Sequence, residues 1–186
     1  MNKYHVHITS NDSGPKKGFK ITNILLEKGT IVQKERMFTQ TFKGTDDIET
    51  DLANIHKLAS KFLNIIRFKI ELLNNPYYFK KYTEDNYREV HIKLELPTTQ
   101  FDSIKAILKA NENKFGYSLS QNTNEANNEI TAYFINIRYR KGTPKTADSN
   151  LAKIINFINK NNIKIKEIKE EVSLHDSNKD YDRFWG

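Results

Sequence analysis

Residues 87–97 read YREVHIKLELP. Val90, Ile92, Leu94 and Leu96 fall on one side of an extended chain, and Glu89, His91, Lys93 and Glu95 on the other. A period of two marks a half-buried strand, because successive strand side chains point to opposite faces. Pro97 ends it, and Thr98 or Thr99 is placed to cap a helix running to about Lys114, with Phe101, Ile104, Ile107 and Leu108 turned inward. FGYSLSQN (115–122) and ITAYFINIRYR (130–140) follow as strands on either side of a polar loop. On the second of these, Ile135, Ile137 and Tyr139 oppose Phe134, Asn136, Arg138 and Arg140. KGTPKTADS turns into a helix with Leu151, Ile154, Ile155 and Ile158 as its stripe. IKIKEIKEEVSLHD (163–176) closes as a strand whose phase slips near Lys166–Glu167, which predicts a β-bulge.

Strand, helix, strand, strand, helix, strand is the order of a ferredoxin-like unit. The first half reads as a degenerate version of the same plan. KYHVHIT (3–9) places Tyr4, Val6 and Ile8 opposite His5, His7 and Thr9. Two further strands meet at a hairpin signal, Lys28–Gly29. Thr45, Asp46 and Asp47 cap a helix with Ile48, Leu52, Ile55, Leu58, Ala59, Phe62 and Leu63 at helical spacing. IIRFKIELL (65–73) returns to period two, with Arg67, Lys69 and Glu71 opposite Ile66, Phe68, Ile70 and Leu72. The expected fold class is therefore α+β: a two-lobed pseudo-repeat with a βββαβ lobe over 1–75, a connector over 76–86, a ferredoxin-like βαββαβ lobe over 87–176, and a tail over 177–186 packed on the domain.

Composition narrows the function classes. With no cysteine, disulfides, thiolate metal sites and cysteine nucleophiles are excluded. No apolar run is long enough to span a membrane, no signal pattern opens the chain, and a cytoplasmic location is the expectation. A net charge of +7 invites nucleic acid, yet the excess is carried by lysines scattered through a chain rich in Lys, Asn and Ile. Placement of arginine and histidine informs more than the total.

The polar strand faces carry that placement. Glu89, His91 and Lys93 should lie beside Arg138 and Arg140 on a helix-free face, and His5, His7 and Thr9 on the matching face of the first lobe. Arg suits phosphate because its planar fork donates two parallel hydrogen bonds. The expected site gives His7 and His91 the acid and base roles, with Thr9, Lys93, Arg138 and Arg140 on phosphate. The expected ligand is a phosphate-bearing small molecule or RNA end, with no cofactor. A non-enzymatic nucleic-acid binder and a protein-interaction module remain the alternatives.

Three resemblances bear on this. His7-Ile8-Thr9 and His91-Ile92-Lys93 resemble the His-apolar-Thr/Ser motifs of the two-histidine phosphoesterases, which implies cleavage of cyclic phosphates or 2′-5′ linkages; Lys93 departs from the hydroxyl residue of that motif. EVHIKLELP looks like the Glu-x-Glu-x-Lys strand of the CYTH triphosphate-tunnel enzymes, with Glu89 and Lys93 matching and His91 in place of the middle glutamate. That likeness implies carboxylates holding divalent metal on a triphosphate. The second half is also similar to uncharacterised bacterial and phage proteins of about this size, which implies a shared fold without a known activity.

The ending VSLHDSNKDYDRFWG sets Asp176, Asn178, Asp180 and Asp182 on alternate residues before the only tryptophan, Trp185. An EF-hand starting at Asp176 needs glycine at its sixth position, where Tyr181 stands, and a glutamate at its twelfth, past the last residue. Asp176 and Asn178 are expected to make turn hydrogen bonds. Asp180 and Asp182, with Glu89, are candidate acidic ligands for Mg2+.

Overall fold

The computed structural model describes residues 1–28, 31–73, 75, 83, 85–125 and 129–182. Among them are eight strands: β1 (Lys3–Ser10), β2 (Lys20–Lys28), β3 (Ile31–Lys43), β4 (Ile65–Leu73), β5 (Arg88–Pro97), β6 (Tyr117–Asn122), β7 (Ile130–Tyr139) and β8 (Ile165–Asp176). The helices are α1 (Ile48–Ala59), α2 (Phe101–Lys109), α3 (Glu112–Phe115) and α4 (Pro144–Lys160). The strands close into one antiparallel barrel in the order β1-β3-β2-β6-β7-β5-β8-β4.

This corrects the two-lobed α+β expectation, and with it the ferredoxin-like lobe standing on its own. The halves do not carry separate open sheets. β2 pairs with β6, Leu26 opposite Ser120, and β4 pairs with β8, Leu72 opposite Val172. The physical reason lies in the edges. A four-stranded sheet leaves a row of unpaired N–H and C=O groups on each side. Joining two such sheets along both edges pairs all four rows and turns their polar faces toward each other.

The apolar faces therefore point outward, under the helices. Val90, Ile92, Leu94, Ile135 and Ile137 pack with Leu108, Leu151, Ile154 and Ile158 in one core cluster. Tyr4, Val6, Ile8, Phe38, Ile70 and Leu72 pack with Ile55 in a second. Each fully buried Leu or Ile contributes about 1.5–3 kcal/mol, so these two layers supply much of the stability that holds the barrel closed.

Local signals set the element ends. Asp47 caps α1 by accepting from the Glu49 N–H at 3.1 Å, and Thr143 caps α4 by accepting from Thr146 N–H at 3.2 Å, with Pro144 in the first turn. The helix expected through Lys114 breaks into a 3₁₀ turn, α2 and α3, and stops at Gly116 in a left-handed conformation (φ 69°). α1 ends at Ala59, which leaves Leu63 beyond it and 88% exposed. The predicted bulge is present: Lys93 pairs with Glu167 and Leu94 with Ile165, so Lys166 is skipped.

Beyond β8 the chain stays tied down. Ser177 N–H donates to Phe68 O at 2.9 Å, Asn178 N–H donates to Asp176 Oδ1 at 3.2 Å, and Tyr181 N–H donates to Asn178 Oδ1 at 3.0 Å. Trp185, the hairpin glycine Gly29 and most of the expected connector lie outside the described residues. Among the described residues, no helix is long and apolar enough to cross a membrane.

Candidate functional site

The barrel encloses a cavity of about 260 Å3. Strand alternation fills its wall with the residues that face away from the helices. β1 contributes His7 and Thr9, β4 contributes Arg67, Lys69 and Glu71, and β5 contributes Glu89, His91 and Lys93. β7 adds Phe134, Asn136 and Arg138, and β8 adds Glu167, Lys169 and Glu171. The wall from β2 and β3 is different in kind: Thr22, Ile24, Leu26 and Met37, with Glu35. The lumen is therefore amphipathic, with a charged side and a largely apolar side.

The charged side is nearly balanced. Among the described lining residues, the five cations Arg67, Lys69, Lys93, Arg138 and Lys169 share it with four glutamates, at positions 71, 89, 167 and 171, while Glu35 stands on the β2–β3 wall. The ammonium of Lys69 bridges Glu71 and Glu89. Arg138 Nη2 lies 2.9 Å from Glu89 Oε1. Burial pushes the Glu89 carboxyl up, but Arg138 and Lys69 outweigh it and hold it at about 2. Burial and the neighbouring Glu171 push Glu71 up as well, and Lys69 and His7 keep it below the ordinary carboxylate range.

The histidines are oriented by second partners. His91 Nδ1 is 2.7 Å from Asn136 Oδ1, and Asn136 in turn donates from Nδ2 to Ser120 Oγ at 2.9 Å. His91 Nε2 then faces Glu171 Oε2 at 3.4 Å and Glu89 Oε1 at 3.7 Å. Burial lowers the His91 pKa, but the surrounding Glu89, Glu171 and Glu71 outweigh it and raise the pKa to about 9. At neutral pH this imidazole is a cation, suited to donating a proton or binding an anion and unsuited to acting as a base. His7 Nδ1 is 3.0 Å from Thr39 Oγ1, which turns Nε2 toward Glu71 Oε2 at 2.8 Å. His5 Nδ1 lies 2.8 Å from Glu171 Oε1 and 2.6 Å from Lys169 Nζ.

Below this layer, Arg67 holds Asp176 through Nε–Oδ1 at 2.9 Å and Nη2–Oδ2 at 2.7 Å, and Tyr87 donates to the same Oδ2 at 2.8 Å. Lys69 lies over the Tyr87 ring, 5.4 Å from its centroid.

Six of the residues expected at the site meet in the lumen: His7, Thr9, Glu89, His91, Lys93 and Arg138. Arg140 does not. β7 ends at Tyr139, and Arg140 sits 5.1 Å from the Tyr87 ring centroid while Nη2 donates to Lys179 O at 3.2 Å. Asp180 and Asp182 fall in a 3₁₀ turn, Lys179–Asp182, and their side chains lie outside the described residues. Lys169, Glu171 and the apolar wall were not expected at the site. The β8 alternation carried Lys169 and Glu171 in plain view, but the bulge at Lys166 hid which face they take.

No family model matches the chain, and a search of curated proteins finds no relative.

Proposed function

We propose that the barrel lumen binds a phosphate-bearing ligand, an organic polyphosphate of the nucleotide class, together with a divalent cation. The observation that carries this reading is the amphipathic lumen, with cations and carboxylates interleaved on one wall and Ile24, Leu26 and Met37 on the other. Carboxylates interleaved with the cations weaken the pull of this wall on a bare anion. A metal–polyphosphate pair suits it better, because the metal takes glutamates and releases Lys69 and Arg138 to the phosphate oxygens. The apolar wall suits a base or another ring at the far end of the chain of phosphates. The likeness of Glu89-x-His91-x-Lys93 to the triphosphate-tunnel enzymes supports the same ligand class, as does a lumen bounded on all sides by strands. A cytoplasmic setting, where nucleoside triphosphates abound, belongs to this proposal.

Titration calorimetry with ATP, inorganic triphosphate and adenosine, each with and without Mg2+, tests it. The expected result is one site for ATP and for triphosphate that tightens with Mg2+, and none for adenosine. Absence of binding by either phosphate compound overturns the reading.

Cleavage by two histidines is a second reading, favoured by the way His7 and His91 approach Glu71 from different strands. In it, His91 supplies the proton to the leaving oxygen, since it carries one at neutral pH, and His7 is left as the base. Turnover of a cyclic phosphate that survives intact in both His7→Ala and His91→Ala removes it. The nucleic-acid alternative finds less support, because the cations and histidines expected on an open sheet face line the inside of the barrel instead.

A further inference from the structure

We propose that His5, His7 and Glu71 form a binding site for one divalent transition-metal ion, with Zn2+ as the class representative. The inference does not rest on the phosphate reading, since the metal alone is the ligand. One ligand atom from each of the three residues lies within 4.8 Å of the other two. Small side-chain rotations bring such a set onto an ion at the usual ~2.0–2.2 Å. The backbone holds the set firmly: His5 and His7 alternate on β1, and Glu71 pairs directly with His5 across β4.

Four further features fit a metal centre. Glu71 is 1% exposed, and its Oε2 has no aligned hydrogen bond although His7 Nε2 stands 2.8 Å away. Glu171 Oε1 lies 2.8 Å from His5 Nδ1 and 2.8 Å from Lys169 Nζ, which places a second carboxylate at the edge of the site. Thr39 Oγ1 engages His7 Nδ1 and so presents Nε2 to the lumen, as outer partners of metal-bound histidines do. Lys69 pairs with Oε1 of Glu71 and leaves Oε2 on the side of His7.

The donor set selects the metal. Two imidazoles and a carboxylate suit Zn2+, Co2+ or Fe2+, whereas Mg2+ and Ca2+ prefer oxygen alone. Three protein ligands leave at least one coordination position open to the cavity. Lys169 Nζ, 2.6 Å from His5 Nδ1, must swing away when the ion enters.

The test uses the whole chain stripped by a chelator and then titrated with Zn2+ or Co2+ alone. One equivalent is expected to bind, with a Co2+ visible spectrum typical of low coordination number. His5→Ala and His7→Ala should each weaken binding more than a hundredfold, and Thr39→Val by about ten- to a hundredfold. His56→Ala, at a histidine packed against His175 away from the lumen, should change nothing. Should either alanine variant fail to fold, nitrogen NMR of wild-type imidazoles decides: Zn2+ must shift the His5 and His7 rings and leave His56 and His175 unmoved. No uptake, uptake that persists in folded His5→Ala and His7→Ala, or shifts confined to other histidines overturns the proposal.

Discussion

Arg67 and Asp176 lie 109 residues apart and meet in a two-pronged ion pair, Nε–Oδ1 2.9 Å and Nη2–Oδ2 2.7 Å, across the seam where β4 joins β8. This contact belongs to neither half alone. It exists only because the barrel is closed, and it makes closure sensitive to acid. Burial pushes the Asp176 carboxyl up, but Arg67, with Lys69 and Tyr87, holds it at about 2 in the folded chain against an ordinary value of 3.8. A depressed carboxylate pKa stabilises above the unfolded value and loses that contribution as pH falls through the folded one. About 2 kcal/mol should therefore be present above pH 4 and vanish toward pH 2. Denaturant titrations of wild type and Asp176→Asn should show the variant less stable at pH 7, by about 3–5 kcal/mol, with its acid limb flattened between pH 4 and 2.

His91 supplies the opposite sign. Its folded pKa, about 9, lies above the ordinary value of 6.5, so its contribution is complete below about pH 6.5 and is lost as pH rises through 9. In the metal-free protein, NMR should find this imidazole titrating near 9. Glu89→Gln should bring the midpoint down by removing the carboxylate that raises it most. A wild-type midpoint at 6.5 would show that the glutamates around it are not arranged as described.

Gly44 lies where α1 meets β1. A Cβ there would stand 2.2 Å from Asp51 Oδ2 and 2.6 Å from the Tyr4 ring. Asp51 is buried and accepts from Tyr4 Oη at 2.7 Å and from Thr45 N–H at 2.8 Å. It has little freedom to yield. Gly44→Ala should cost about 1–3 kcal/mol, read as a lowered thermal midpoint. Gly14→Ala, with open space around its Cβ, separates crowding from the backbone strain of its own positive φ.

Lys93 and Arg140 make a paired test of the lumen. Lys93 lines it, over the Phe134 ring, while Arg140 sits outside it against Tyr87. Lys93→Ala should weaken polyphosphate binding about tenfold or more, the loss of one charge-assisted contact. Arg140→Ala should leave the affinity within about twofold. Calorimetry on both variants checks the difference.

Strand phase was legible in the sequence. His7 and Thr9 on one strand, and Glu89, His91 and Lys93 on another, already stood apart from their aliphatic neighbours, and they share a cavity. The bulge at Lys166 could also be read from its broken alternation. Which face is enclosed could not. Alternation of Arg67, Lys69 and Glu71 with Ile66, Phe68 and Ile70 looks the same whether the charges face solvent or the inside of a barrel, because helices cover the apolar side in both cases. Closure was hidden for a related reason. The pairings of Leu26 with Ser120 and Leu72 with Val172 are non-local, and neither edge carries a turn or spacing that announces its partner. Arg140 was misplaced by one residue of strand length: the ladder ends at Tyr139, and alternation stops having meaning there.

The most direct test of the account is a crystal of this protein soaked with Mn2+ and a non-hydrolysable nucleoside triphosphate, with anomalous data collected for manganese. The account predicts phosphate density inside the barrel near Lys69, Lys93 and Arg138, and a manganese peak against the glutamates of the same wall. An empty lumen, with the nucleotide bound on the helix-covered exterior, would contradict it.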